Sequence, residues 1–144
     1  KLNQKCNNMK QDIRTKDYIL FIEAWCLLAL ARFIIYSFPF KYIVIILERK
    51  PNNSKANKNV NPLILDEISN AIRRACNHSF WKTKCFEQAL AGKIMLNLRR
   101  IKSSVYFGVA DNGVFMAHAW LECEGRTITG GKGKDKFAVI NKFQ

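Results

Sequence analysis

The feature that most constrains the fold is a change of hydrophobic period near Ser104. Before this residue, apolar side chains recur every three or four positions, which is the spacing of helices with one buried face. After it, short apolar runs alternate with polar residues or end at turn residues, as antiparallel strands do. Because the helical part comes first and the strand part second, the order predicts an α+β fold.

The helical part contains several segments. The apolar run over 17–37 predicts one long helix, and Pro39 separates it from a second stretch over 40–50, giving a helical hairpin. A third helix is expected over 62–77, with Pro62 in its first turn. Its predicted buried face consists of Leu63, Ile64, Ile68, Ala71, Ile72 and Ala75. A further helix runs from about Lys84 to Leu98, with Thr83 as the expected N-cap.

The strand part contains four short segments, at 104–109, 114–122, 126–131 and 136–143. Turn residues join the first three segments, namely Asp111-Asn112-Gly113 and Glu124-Gly125. A two-residue turn at Glu124-Gly125 would set the register of its hairpin. The predicted pairs are Cys123 with Arg126, Trp120 with Thr129, and His118 with Gly131.

Composition divides the chain into three parts: a basic N-terminus with the apolar hairpin over 1–50, a polar linker over 51–61, and a core domain over 62–144. Residues 1–16 are expected to be frayed. The apolar stretch from Ile19 to Phe40 is long enough to cross a bilayer. It contains Glu23 and Arg32, however, and each charge near the bilayer centre costs about 3 kcal/mol. We therefore favour a hairpin packed on its own domain or on a partner over a membrane span, and leave interfacial membrane contact open.

The charge balance and the cysteines limit the possible partners, the cellular compartment and the kinds of bound group. The net charge of +13 favours acidic peptides, nucleic acid or anionic surfaces as partners, and charge alone does not choose among them. No groove-reading helix or zinc knuckle supports nucleic acid, so none is expected as a partner. The five cysteines (Cys6, Cys26, Cys76, Cys85 and Cys123) follow no secretory signal, which favours free thiols in the cytoplasm. We expect no cofactor and no metal, because the group Cys76, His78, Cys85 lacks paired C-x-x-C spacing.

The candidate catalytic residues are Cys85 and His118. Cys85 opens a helical run, where unpaired N–H groups and the helix dipole stabilise a thiolate. His118 lies in a later strand, VFMAHAWLE, and an imidazole next to a thiol can take its proton. The alternative is that Cys85 is a small buried hydrophobe and His118 a structural histidine. Together in this order, the two residues predict a cysteine-dependent acyl-transfer site.

The sequence does not identify the group that orients His118. A third group normally accepts a hydrogen bond from the second ring nitrogen and so fixes the tautomer. In the predicted hairpin the acceptor comes from 129–131, which contain no carboxylate. The alternatives are the Thr129 hydroxyl, Asp135 on its glycine-rich stretch, Glu122, a backbone carbonyl or a water.

Three tracts carry a resemblance: ARFIIYSFPFKYI, SFWKTKCFEQALAGKIML and VYFGV…MAHAWLECEGRTITGG. Over roughly 17–143 the chain resembles the protease of lasso peptide biosynthesis, the stand-alone leader-peptidase half of the split B protein, whose core is transglutaminase-like or papain-like. The resemblance implies that Cys85 is the nucleophile and His118 the general base. It also implies an Asp about a dozen residues after the histidine, where this chain has Gly130.

The resemblance implies a task and partners as well. The expected function is a cysteine peptidase that removes the leader from a ribosomally made lasso precursor, working with a leader-recognition protein and a macrolactam-forming cyclase. Two other functions stay open. The same Cys-His core could pass the acyl group to an amine as a transferase, or the chain could be a non-catalytic basic adaptor that binds peptide.

Overall fold

The protein is described by a computed structural model that covers residues 2–49, 60–111 and 113–144, with side chains from Asp12 onward in the first helix. Cys6, most of the predicted linker and Asn112 of the predicted turn lie outside the described side chains or residues. The helices are α1 (Leu2–Ser37), α2 (Phe40–Leu47), α3 (Pro62–His78) and α4 (Cys85–Leu98). The strands are β1 (Ser104–Asp111), β2 (Phe115–Cys123), β3 (Arg126–Thr129) and β4 (Ala138–Phe143), with a 3₁₀ turn at Lys134–Lys136. The predicted α+β class is confirmed.

Helix α1 is longer than the apolar run that predicted it. The expectation that residues 1–16 fray is wrong, because the helix begins at Leu2. Helix nucleation is the costly step, and the apolar segment stabilises a nucleus from which the helix extends into a polar stretch without Gly or Pro. The helix ends at Ser37, and Pro39 precedes α2 as its N-cap, so the predicted break is confirmed.

One face of α1 packs on α3 and α4. The residues fully buried on that face are Leu20, Ala24, Leu28 and Ala31. Glu23 and Arg32 within the apolar stretch are paired with the rest of the domain: Arg99 Nη2 lies 2.6 Å from Glu23 Oε2, and Arg32 Nη1 lies 3.1 Å from Glu87 Oε1. The segment Asp12–Ser37 is long and apolar enough to cross a membrane, judged by length and composition only, with a mean hydropathy of 2.0 and 22% of its most apolar window buried.

Helix α3 begins as predicted at Pro62, and the Asn61 side chain caps it by accepting a hydrogen bond of 3.0 Å from the Leu63 N–H. The predicted buried face is wrong at its first residue. Leu63 is 67% exposed, and Leu65 is buried in its place. At about 100° per residue, Leu63 lies on the opposite side of the helix from Leu65, which shares the stripe of Ile68 and Ile72.

Helix α4 lies on the sheet. The sheet is antiparallel along its length in the order β3-β2-β1-β4, and α4 contacts the central strand β2. The helix lies close to the sheet at Gly92, where a Cβ atom would lie 2.6 Å from Leu121 Cδ2. Helix α4 also contacts β3 and β1.

The hairpin between β2 and β3 has the predicted turn but a different register. Cys123 pairs with Arg126, as expected. A bulge at Leu121/Glu122 then places Leu121, rather than Trp120, opposite Thr129, so the predicted pairs Trp120–Thr129 and His118–Gly131 are wrong. A bulge leaves one extra residue unpaired on one strand and bends it. Strand β3 therefore ends at Thr129, and the chain turns toward His118 at the next residue.

Candidate active site

Cys85 is the first residue of α4. The N-cap is Lys84 rather than the predicted Thr83. Glu87, three residues after the cap, accepts a 3.2 Å hydrogen bond from the Lys84 N–H, which is the backbone half of a capping box. Thr83 instead accepts a 3.2 Å hydrogen bond from Gln88 Nε2, which ties Gln88 down one turn beyond Cys85. The site is therefore anchored on both sides of the cysteine.

The position of Cys85 suits an anionic sulfur. The first N–H groups of a helix have no partner within the helix, and they point toward the side from which the chain enters. They stabilise a thiolate, and the Cys85 N–H is a natural donor to an oxyanion formed on its own sulfur. The adjacent Lys84 ammonium donates to the Tyr36 hydroxyl at 2.9 Å, and this hydrogen bond raises the pKa of Lys84. The ammonium of the residue that precedes Cys85 is thus directed toward α1.

His118 is held by one hydrogen bond and two aromatic rings. Its Nε2 lies 2.6 Å from the carbonyl oxygen of Gly130. Because a carbonyl oxygen only accepts, Nε2 carries the hydrogen, and in the neutral ring Nδ1 keeps its lone pair. The ring stacks on Trp120 with centroids 5.9 Å apart and contacts Phe137 at 4.9 Å. The imidazole therefore has a fixed tautomer and orientation, with a basic nitrogen left over.

The orienting acceptor is thus a backbone carbonyl, one of the alternatives left open by the sequence. Gly130 has φ of +71°, and a Cβ atom there would lie 2.5 Å from the Ala119 carbonyl oxygen. No side chain fits at this position, which explains the glycine where the resemblance implied Asp. Glu122 is occupied elsewhere, since it accepts from Lys134 Nζ at 2.7 Å and from Trp120 Nε1 at 3.2 Å.

Cys85 and His118 line one open cavity of about 530 Å³ between α3, α4 and the end of β3. His78, the other of the two histidines, lies at the end of α3 with Nδ1 2.8 Å from the Arg74 carbonyl oxygen and does not line it. Asp135 does not line it either. The pair singled out by sequence is therefore brought to one site.

The comparison with protein families agrees with this arrangement. The model of the transglutaminase-like superfamily matches residues 27–142, which is most of the chain. The chain belongs to the transglutaminase-like superfamily. This superfamily generally contains cysteine-dependent enzymes, usually peptidases or transferases, and the α+β fold is consistent with its papain-like core. Neither the curated proteins nor the solved structures contained a match.

The transglutaminase-like match begins at residue 27, inside α1, and so includes part of the segment that composition assigned to a separate hairpin. The domain boundaries at 50 and 62 stay a prediction. In the described part of the chain, no group of three or more His, Cys, Asp or Glu side chains is placed to hold a metal ion.

Sequence reasoning did not place Cys76 in this transglutaminase-like site, and it named Thr129 only as a possible orienting group for His118. Cys76 lines the cavity, and burial raises the pKa of its thiol, with a hydrogen bond from the Thr83 side chain acting the other way. The helical spacing could have indicated Cys76, because it lies one turn after Ile72 on the inner face of α3. Thr129 also lines the cavity, and its buried hydroxyl has no hydrogen-bond partner among the described residues.

Proposed function

We propose that this protein is a cysteine peptidase that cleaves the leader from a ribosomally made lasso peptide precursor. One observation carries the catalytic part: Cys85 at a helix start shares a cavity with His118, whose Nε2–H is held by the Gly130 carbonyl. The substrate class rests on the resemblance of the cysteine and AHAW tracts to the lasso proteases. The work would take place in the cytoplasm, with a leader-recognition protein that delivers the precursor and a cyclase that acts next.

The proposed chemistry proceeds through an acyl-enzyme. The Cys85 thiol gives its proton to His118 Nδ1, and the sulfur attacks the carbonyl carbon of the scissile bond. A C–S bond forms, and the carbonyl π electrons move to oxygen, which accepts a hydrogen bond from the Cys85 N–H. The C–N bond then breaks as His118 protonates the leaving amine.

Hydrolysis completes the cycle. His118 takes a proton from a water, the resulting hydroxide adds to the acyl carbon, and the C–S bond breaks. The products are a leader with a free carboxyl group, a core with a free amine and the regenerated Cys85 thiol. An amine that intercepts the acyl-enzyme in place of water would make the same site a transferase, so the mass of the product separates the two reactions.

The test is intact mass spectrometry of precursor incubated with the protein and its leader-recognition partner. We expect two fragments whose masses sum to that of the precursor plus one water. Cys85→Ala should abolish cleavage, and His118→Ala should slow it by about 10²–10⁴-fold, the usual contribution of a general base. Cys26→Ala is the matched control, because Cys26 is exposed on α1, away from the cavity.

Two results would contradict the proposal. A Cys85→Ala protein that cleaves at the wild-type rate would rule out the acyl-enzyme. A Cys85→Ala/His118→Ala protein that keeps the biological activity would favour the basic adaptor instead. A limiting dose of iodoacetamide gives an independent measure, since an activated Cys85 should be alkylated faster than Cys26 and should lose that advantage when His118 is removed.

A further inference from the structure

We infer that the cavity binds peptide with an acidic side chain close to the scissile bond, and that Arg73 and Lys132 recognise it. This inference rests on the proposed function, because it names the substrate class of the same site. It starts from the charges of the cavity wall. Arg73 comes from α3 and Lys132 from the turn after β3, and both line the cavity with Cys85 and His118.

No carboxylate lines this cavity. All eleven Asp and Glu residues of the chain lie in the described part of the structure, and none of them is among the lining residues. A concave wall that carries cations without anions concentrates its field inside the cleft. The cavity therefore favours an anionic ligand at one place on the protein, whereas the overall net charge favours anions at no particular place.

The two cations also keep their charge free for a ligand. Arg73 Nη2 donates to the Asn70 side-chain oxygen at 2.8 Å, which is a neutral partner. Two basic residues outside the cavity do pair with carboxylates, since Arg126 lies 3.0 Å from Asp66 and Lys134 lies 2.7 Å from Glu122. In the described residues no salt bridge joins Arg73 or Lys132 to a carboxylate.

Thr129 provides a second, independent indication of a ligand. It is only 7% exposed and lines the same cavity, yet its hydroxyl makes no hydrogen bond to the described residues. A buried hydroxyl without a partner is unfavourable unless something else supplies one. A peptide carbonyl or carboxylate in the cavity would accept from it. Charge-assisted bonds from Arg73 and Lys132 would then bind the acidic side chain.

The test measures retention of peptides without turnover. A randomised short-peptide library is passed over immobilised Cys85→Ala protein, and the retained peptides are sequenced by mass spectrometry. The same is done in the Cys85→Ala background with Arg73→Gln/Lys132→Gln, and with Arg74→Gln/Lys136→Gln. The last pair is the matched control, because both residues are exposed, lie outside the cavity and remove the same net charge.

We expect Asp and Glu to be enriched over Asn and Gln about tenfold at one position by the intact cavity and by the control pair. The Arg73→Gln/Lys132→Gln pair should lose this enrichment. Equal loss in both pairs, or no enrichment with the intact cavity, would overturn the inference. Cleavage of the lasso precursor by the wild-type protein with its leader-recognition partner is scored separately, so that absent hydrolysis contradicts the proposed function and leaves the charge preference measured.

Discussion

Gly130→Ala should destabilise the protein through two separable effects. The first is conformational: the residue has φ of +71°, and a Cβ in the left-handed region costs about 1–2 kcal/mol. The second is steric, because the new Cβ would lie 2.5 Å from the Ala119 carbonyl oxygen and 2.9 Å from Trp120 Cβ. Both neighbours belong to β2, so the strand must shift, at a typical cost of about 1–3 kcal/mol. The expected total is about 2–5 kcal/mol.

Gly133→Ala isolates the conformational part. Gly133 has φ of +75° and nothing within 4 Å of a built Cβ, so only the first cost applies. The free energy of unfolding is measured for both variants by urea titration followed by circular dichroism. If Gly130→Ala lies within about 0.5 kcal/mol of Gly133→Ala, the steric reasoning is refuted.

The same shift has a chemical consequence. It moves the Gly130 carbonyl away from His118 Nε2, so iodoacetamide should lose its preference for Cys85 in Gly130→Ala protein. Gly130→Asp introduces the acid that the resemblance implies. This variant should lose the preference of iodoacetamide for Cys85 for the same steric reason. Restored or raised peptidase activity in Gly130→Asp would show that the strand can make room for a carboxylate.

Three further predictions concern stability. Gly92→Ala places a Cβ 2.6 Å from the end of the Leu121 side chain. Overpacking should cost about 1–3 kcal/mol and outweigh a gain of about 1 kcal/mol in helix propensity, so urea unfolding should show a less stable protein. Burial, with a smaller effect of Glu124, raises the pKa of Cys123 from 9.0 to about 11. The stability that the neutral thiol contributes is therefore complete below pH 9 and is lost as the pH rises through 11. The expected loss in the free energy of unfolding between these two pH values is about 2 kcal/mol, and Cys123→Val should not show it. Glu87→Gln removes the buried charge that pairs with Arg32 and should lower the free energy of unfolding by about 1–3 kcal/mol, and an unchanged value would contradict a role for that pair.

The parts of the structure that were predictable from sequence are those set by local pattern. The helices, the break at Pro39 and the Glu124-Gly125 turn follow from periodicity and from residues with restricted backbones. The start of α3 follows from Asn61 and Pro62 in the same way. Each of these signals acts within a few residues, so no tertiary information was needed.

Two features of the site depend on distant contacts. The bulge at Leu121/Glu122 shifts the hairpin by one residue, and no turn rule contains it, because the pairing also depends on how β2 packs under α4. The acceptor for His118 was not identifiable either, since every residue carries a carbonyl and only the fold selects one of them. Cys85 and His118 could be singled out as candidates because their side chains are chemically distinctive, and the fold brings them to one cavity.

The use of a carbonyl to orient His118 has a consequence for how the site responds to acid. A carboxylate in that place would take up a proton at low pH and release the imidazole, adding a third titration to the rate profile. A peptide oxygen does not titrate in this range, so the Gly130 contact persists for as long as the fold does. The acid side of the pH–rate curve should then contain no step from the group that orients His118.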